Sequence, residues 1–285
     1  MAARDVERPI GTCIRSLFQQ THENWELIVV DDGSQDGTSE RIQSFVDPRI
    51  HLRIGERSEG LAARLNQAMD IAHGKYFARI DADDVAYPDR LERQVAFLES
   101  HPEVDLVGTG AMVFSENGQA IGLFPARQAH EDICAKPWAG FYLPHPSWMG
   151  RCAWFRRNRY RPTMQKAQDQ ELLLRTFRHS RFACLPEILI GYRQDRLSLR
   201  KILEGRRNFC TALVRNAPEA CGYGRTAYAL MEQVVKGVID TVAITAQVER
   251  QLLKHRAQPP SRSDVKAWER VWTQCSHETK SLCVG

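Results

Sequence analysis

Two periods run through the polar and apolar positions of this chain, and the changes between them lay out short strands and helices. Ile10, Ile14, Leu17 and Phe18 recur at helical spacing and predict a helix over 10–20. The apolar run Leu27–Val30 predicts a strand buried on both faces. It feeds Asp31-Asp32-Gly33-Ser34, and Thr38 is placed to cap a helix through about Phe45. Residues 50–54 alternate as a short strand. Gly60 precedes a helix over 61–72, which closes at His73-Gly74. A second apolar run, 76–80, ends in Asp81-Ala82-Asp83-Asp84. Pro88 sits near the start of a helix reaching about Ser100, and 104–115 reads as a strand. This β-α-β-α rhythm predicts an α/β domain with a mostly parallel, mixed sheet and helices on both faces.

Beyond residue 120 the pattern is irregular and rich in aromatics, prolines and arginines, with Trp138, Phe141, Tyr142, His145, Trp148, Trp154, Phe155 and Tyr160. A helix over 169–178 and a strand over 183–190 close the main domain. From 198 onward the chain reads as helical. Over 226–247, Ala227, Leu230, Met231, Val234, Val235, Val238, Val242 and Ala243 form one apolar face, with Glu232, Lys236 and Asp240 on another. Gln258-Pro259-Pro260-Ser261 reads as a linker. The expected organisation is a first domain over 1–196 and a helical C-terminal region over 197–285.

Hydrophobic residues make up 43% of the 285 and charged residues 26%, which is the balance of a soluble globular chain. No run of about 18 apolar residues predicts a membrane span, and the start lacks the pattern of a signal peptide. Eight scattered cysteines without a C-x-x-C pair read as thiols in a reducing cytosol. The net charge of +4 is unevenly placed: residues 1–192 carry 23 Lys/Arg against 26 Asp/Glu, and residues 193–270 carry 15 against 8. The basic part suits anionic lipid, a phosphate-bearing acceptor or a protein partner, or is a plain solvated surface. Nothing in the pattern points to nucleic acid.

The two acidic runs carry the chemistry. Open α/β sheets bind ligands beyond the carboxyl ends of their strands. Four or five carboxylates on one edge would repel one another unless a cation sat among them. A divalent metal holding a phosphate-bearing substrate answers that repulsion.

The segments "CIRSLFQQTHENWELIVVDDGSQDGT", "GLAARLNQAMDIAHGKYFARIDADDVAYPDRLERQVAFLESHPEVDLVG" and "AQDQELLLR" resemble the family 2 glycosyltransferases, which have the A-type nucleotide-sugar-binding fold. The likeness spans about residues 1–196. It implies an inverting, metal-dependent transfer of a sugar from a nucleotide diphosphate sugar to a hydroxyl. The product would be a surface polysaccharide or glycolipid, the donor most often a UDP-sugar and the acceptor a saccharide or lipid-linked saccharide. Asp31 and Asp32 look like the carboxylates that touch base and ribose, with Ala2 and Arg4 beside them, or they merely shape an Asp-Gly turn. Asp81-Ala82-Asp83 is similar to the family's metal motif, where Asp81 and Asp83 hold Mn2+ or Mg2+ and Asp81 lies near the ribose. Asp169 stands where the catalytic base lies, or is only the N-cap of the 169–178 helix, and Gln168 replaces the usual Glu before it. Asp84 is placed to cap the next helix. Arg64 and Asn66 either border the donor pocket or are a surface arginine and a packing asparagine. His145 completes the metal site, meets the acceptor or is a hydrogen-bonded loop histidine.

The resemblance places Met1–Asp5 at the end of a first strand, so the expected native start lies about five to ten residues upstream, by the usual strand length. Arginines and aromatics mix in "RCAWFRRNRYRP" (151–162). The mix suits a simple surface loop, or, together with the basic tail, peripheral contact with the inner membrane surface or with a sugar. Two rivals remain: a sugar-nucleotide nucleotidyltransferase, and an inactive nucleotide-sugar-binding scaffold. A dehydrogenase is disfavoured, because Gly108-Thr109-Gly110 lacks the third glycine of a dinucleotide motif.

Overall fold

The computed structural model describes residues 1–194, 198–245 and 258–276. Its N-terminal half follows the predicted rhythm: β1 Ala2–Ala3, α1 Glu7–Phe18, β2 Leu27–Asp31, α2 Thr38–Gln43, β3 Ile50–Ile54, α3 Leu61–Ile71, β4 Tyr76–Ala78, β5 Val85–Ala86, α4 Arg90–Ser100 and β6 Leu106–Phe114. There follow β7 Ala120–Phe124, α5 His130–Ile133, β8 Met149–Arg151, α6 Cys152–Arg157, α7 Gln168–Thr176 and β9 Phe182–Arg193. The C-terminal helices are α8 Leu199–Cys221, α9 Tyr223–Thr245 and α10 Arg262–Ser276. The last two residues of the predicted 226–247 helix lie outside the described residues.

The strands form two sheets. One is β1-β2-β3, parallel throughout. The other has the order β4-β8-β6-β9-β5, with β7 on β6. Within it only β6 and β9 run parallel, and the other pairs are antiparallel. The parallel share is therefore smaller than the rhythm suggested. Short local returns such as Met149–Arg151 insert antiparallel strands that no helix-length spacing announces. Every side chain of β2 is buried, as its unbroken apolar run requires.

β1 holds two residues, paired with Val30 and Asp31. The Met1 amine donates to the Ile28 carbonyl at 2.7 Å, and burial lowers its pKa to about 5. Beside it a cavity of about 650 Å³ runs between Leu27 and Ile28 of β2 and Tyr76–Arg79 at β4.

The hydrophobic core crosses the expected division at residue 196. Phe209, Leu213 and Ala217 of α8 and Ala229 of α9 pack in one cluster with Trp154, Leu172, Leu173 and Phe182. Trp268 of α10 is fully buried against Phe114, with ring centres 4.6 Å apart, and its Nε1 donates to the Gly118 carbonyl at 2.7 Å. Arg15 of α1 donates to the Cys275 carbonyl at 2.6 Å. The C-terminal helices are thus built onto the first domain.

The polarity of α9 is the reverse of what its amphipathic pattern suggests. Thr226, Ala229, Gln233, Asp240 and Ala243 are buried, while Met231, Val234, Val235, Val238 and Val242 are exposed. The cause is Arg206 on α8, which reaches Asp240 Oδ2 at 2.9 Å and Gln233 Oε1 at 2.8 Å. These groups must be paired where they are buried, so they and the small residues face inward.

Candidate active site

The first acidic run closes on itself. Asp31, at the end of β2, accepts from Ser34 N at 2.9 Å, from Ser34 Oγ at 2.6 Å and from Ser39 Oγ. Both its oxygens shape the turn that begins with Gly33, which has a φ of 73°. Asp32 accepts from Ser58 Oγ at 2.7 Å, Glu59 N at 2.7 Å, Gly60 N at 3.0 Å and Arg64 Nε at 2.7 Å. Burial pushes the Asp32 carboxyl up, but those donors win and hold it below its ordinary value. Arg64 is buried, not on the surface, and its other nitrogens reach Gln67 and the Arg57 carbonyl. Arg4 donates to Ser58 Oγ at 2.6 Å, so β1 and the Asp32 loop share an edge. Asn66 is the packing asparagine: its amide clamps the Tyr160 backbone at 2.8 and 3.1 Å.

The second run lies just beyond β4, where one buried arginine, Arg79, faces three clustered carboxylates. Asp81 Oδ1 takes Arg79 Nη2 at 2.5 Å, and Cys13 Sγ donates to the Asp81 carbonyl at 3.3 Å. The Asp83 carboxyl takes a hydrogen bond from its own backbone; burial and then Asp81 push it up to about 6. Asp84 is buried, and its Oδ1 accepts from Arg193 N on β9 at 2.8 Å. It does not cap α4, whose N-cap position is Asp89. Among the described residues its Oδ2 has no hydrogen-bond partner, and burial, then Asp81 and Asp83, raise its pKa well above the ordinary value.

Two buried arginines frame this turn. Burial opposes the charge of Arg79, but Asp81 and Asp84 outweigh it, while Arg79 Nε and Nη1 find no hydrogen-bond partner among the described residues. Arg90 donates through Nη2 to the carbonyls of Arg79 (2.5 Å) and Pro146 (3.0 Å), and burial lowers its pKa to about 10. Sequence reasoning missed both arginines, together with Tyr192, whose pKa burial and then Asp84 raise. The available signal was an arginine inside the apolar run 76–80.

His145 Nε2 lies 2.7 Å from the Tyr160 hydroxyl, and its ring meets Trp148 edge-on at 4.5 Å. It is buried, and desolvation, then Arg79, hold its pKa well below 6.5. The unfolded chain protonates this ring below about pH 6.5, so stability present above that pH is lost as pH falls. The raised carboxyls of Asp83 and Asp84 act in the opposite sense, so the contribution is isolated by comparison with His145→Gln. Below pH 6.5 the wild type should lose up to about 1.4 kcal/mol per pH unit relative to that variant, read by urea unfolding. Equal pH slopes would show that the ring titrates freely in the fold.

Asp169 lies in the first turn of α7 but does not cap it. Ala167 holds the N-cap position with a left-handed backbone, φ 56°, and no side chain caps the helix. The Asp169 carboxylate accepts from Gln170 Nε2 at 3.2 Å. It also contributes to the raised pKa of Tyr160, which burial dominates, and so belongs to the same region as the second acidic run. Neighbouring Gln168 is buried, with Oε1 unpartnered among the described residues.

The segment 151–162 is not an outward platform. Trp154, Phe155 and Tyr160 are core residues. Arg151 donates to the Leu98 carbonyl at 2.7 Å, Arg156 to the Ala72 carbonyl at 2.9 Å and Arg159 to Asp70 at 2.6 Å. Trp154 and Phe155 turn inward from α6 and Tyr160 follows beyond its end, while Arg151 and Arg156 close the C-terminal ends of α4 and α3. Among the described residues no helix is long and apolar enough to cross a membrane.

Comparison with known proteins agrees with this architecture. The model of the family "Glycosyl transferase family 2" matches residues 1–159. The "Putative glycosyltransferase EpsE" of Bacillus subtilis is 36% identical over 202 residues, covering 68% of this chain and 72% of that protein. The Escherichia coli UDP-Glc:alpha-D-GlcNAc-diphosphoundecaprenol beta-1,3-glucosyltransferase WfgD is 33% identical over 128 residues, 45% of this chain and 50% of that one. In three dimensions, Staphylococcus aureus TarS 1–349 in complex with UDP-GlcNAc aligns with a TM-score of 0.62 at 15% identity, covering 97% of this chain and 80% of that one. The mannosyltransferase PcManGT of Pyrobaculum calidifontis, in complex with GDP-Man and Mn2+, aligns at 0.59 and 16% identity, covering 96% and 83%. The fold is thus the A-type glycosyltransferase fold with a helical C-terminal part, and the chain belongs to glycosyl transferase family 2.

Proposed function

We propose that this chain transfers a sugar from a nucleotide diphosphate sugar, with UDP the expected nucleotide, to a hydroxyl group, with inversion at the anomeric carbon. The observation that carries the reading is the crowding of Asp81, Asp83 and Asp84, whose burial and mutual repulsion raise two carboxyl pKa values. Hard oxygen donors of this kind suit Mn2+ or Mg2+. No group of three or more His, Cys, Asp or Glu among the described residues encloses an ion. A site completed by the donor's phosphates needs only one or two carboxylates, and Asp83 with Asp81 supplies them. When bound, the cation offsets charge developing on the departing diphosphate.

The remaining steps fall to the chain itself. Asp32, fixed by Arg64, the Ser58 hydroxyl and the Glu59 and Gly60 amides, borders the nucleotide together with Ala2 and Arg4. Asp31, which shapes the turn through Ser34 and Ser39, lies next to Asp32 on the same edge. Asp81 and Ala82 face the ribose side, and Arg79 keeps Asp81 oriented through its 2.5 Å contact. Asp169 takes the proton from the attacking acceptor hydroxyl on the face opposite the leaving group. A single displacement of this kind inverts the anomer and needs no enzyme nucleophile.

By analogy with WfgD, whose name gives a diphosphoundecaprenol-linked acceptor, the acceptor is a saccharide or lipid-linked saccharide in surface polysaccharide or glycolipid synthesis. A cytoplasmic setting fits the free cysteines, and a lipid-linked acceptor would bring the chain to the inner membrane face. The test is incubation with UDP- and GDP-sugars, with and without Mn2+, while sugar release and thermal shift are followed. Donor-specific stabilisation and metal-dependent sugar release are expected. Pyrophosphate release from a nucleoside triphosphate would instead make the chain a nucleotidyltransferase. Binding without turnover on any acceptor would make it a scaffold.

A further inference from the structure

We propose that the outward face of α9 is the surface through which two copies of this chain pair. Tyr228, Met231, Val235, Val238 and Val242 follow one another at steps of three and four residues, flanked by Val234 and Ile239. All seven are exposed, from 53% at Val235 and Ile239 to 65% at Val234. Between Arg225 and Thr245 the only ionised side chains of α9 are Glu232, Lys236 and Asp240. Glu232 and Lys236 pair with each other at 2.6 Å, and Asp240 is buried against Arg206. The ridge itself carries no charge.

The fold locks this face outward. Turning α9 to bury the valines would pull Asp240 and Gln233 away from Arg206 and leave buried polar groups unpaired, a costly arrangement. Seven side chains at these exposures present on the order of 800 Å² of surface, above the roughly 300–600 Å² of a typical monomer's largest apolar patch. The same area is close to the roughly 800 Å² that each partner contributes to a stable protein interface.

The chemistry of the ridge selects the occupant. Docking on anionic lipid draws on Lys and Arg set along the rim of the apolar face. Here Lys236 is already neutralised by Glu232, and the other cation of α9, Arg225 in its first turn, lies over the Trp138 ring at 5.0 Å. Alternating three- and four-residue steps with valine at three of five positions are instead the pattern of a helix that seats against another helix. A second copy presents the same ridge, so a two-fold axis makes the contact self-complementary and closed. This proposal does not depend on the transferase reading.

The experiment is sedimentation velocity on the full chain across the micromolar range. Wild type should sediment as a dimer. The double variant Val235→Asp/Val238→Asp should weaken pairing at least about 100-fold, with unchanged circular dichroism. Val46→Asp, at a position 99% exposed and outside the ridge, should stay dimeric and controls for added charge. Flotation with zwitterionic and anionic vesicles runs alongside. A wild-type monomer overturns the proposal, and vesicle binding lost in the double variant would then assign the ridge to lipid. A double variant that remains folded and dimeric overturns it as well.

Discussion

Replacing Asp169 with Asn is expected to cut turnover by about 10²- to 10⁴-fold while donor affinity stays close to wild type. The swap keeps the shape of the side chain and removes the lone function assigned to it, that of accepting a proton. Its structural duties are slight: it caps nothing, and its carboxylate is held only by the 3.2 Å contact from Gln170 among the described residues. The fold should therefore survive, and a loss confined to the chemical step would separate base catalysis from binding. Single-turnover kinetics and donor titration calorimetry on the same protein read the two quantities. Wild-type turnover in this variant would remove Asp169 from the mechanism.

Arg64→Ala is expected to destabilise the chain by about 3–5 kcal/mol, because it strands a buried carboxylate. The Asp32 and Arg64 side chains are 8% and 5% exposed, and the pair meets at 2.7 Å. The remaining donors to Asp32 come from Ser58, Glu59 and Gly60, whose loop Arg64 also fastens through the Arg57 carbonyl. The loss therefore strikes the charge and the loop together. Arg64→Lys should restore little, since a point charge cannot reach Asp32, Gln67 and Arg57 at once. Urea unfolding of both variants, beside an Asp32→Asn/Arg64→Ala double mutant, tests the coupling. A loss below about 1 kcal/mol in Arg64→Ala would mean that this loop is held by other contacts.

Elements with a strong period were legible from the chain. α1, β2, β3, α3, α4 and β6 fall within a few residues of the spans their apolar spacing predicts. β5, β7 and β8 were not, because two to five residues carry too little pattern and exist only through partners elsewhere in the sequence. α6 was hidden by composition: its arginines look like a surface loop until Trp154 and Phe155 are seen to share the inward side.

The candidate site divides the same way. The acidic runs announce themselves, since an aspartate at the end of a buried strand has few other uses. What holds their oxygens does not show in sequence: Ser34 and Ser39 for Asp31, and Ser58, Glu59, Gly60 and Arg64 for Asp32. Arg79, Arg90 and Tyr192 depend on long-range packing that spacing cannot encode. For α9 the pattern gave two faces but not which of them turns inward, because the deciding partner, Arg206, sits on a different helix.

The guanidinium of Arg90 is a mechanical staple. One nitrogen grips the carbonyl two residues ahead of Asp81 and also the carbonyl that follows His145. Tightening either loop is therefore felt by the other. Occupancy on the phosphate side and occupancy beside the His145 loop should be linked, each changing the affinity of the other by one common factor, as reciprocity demands.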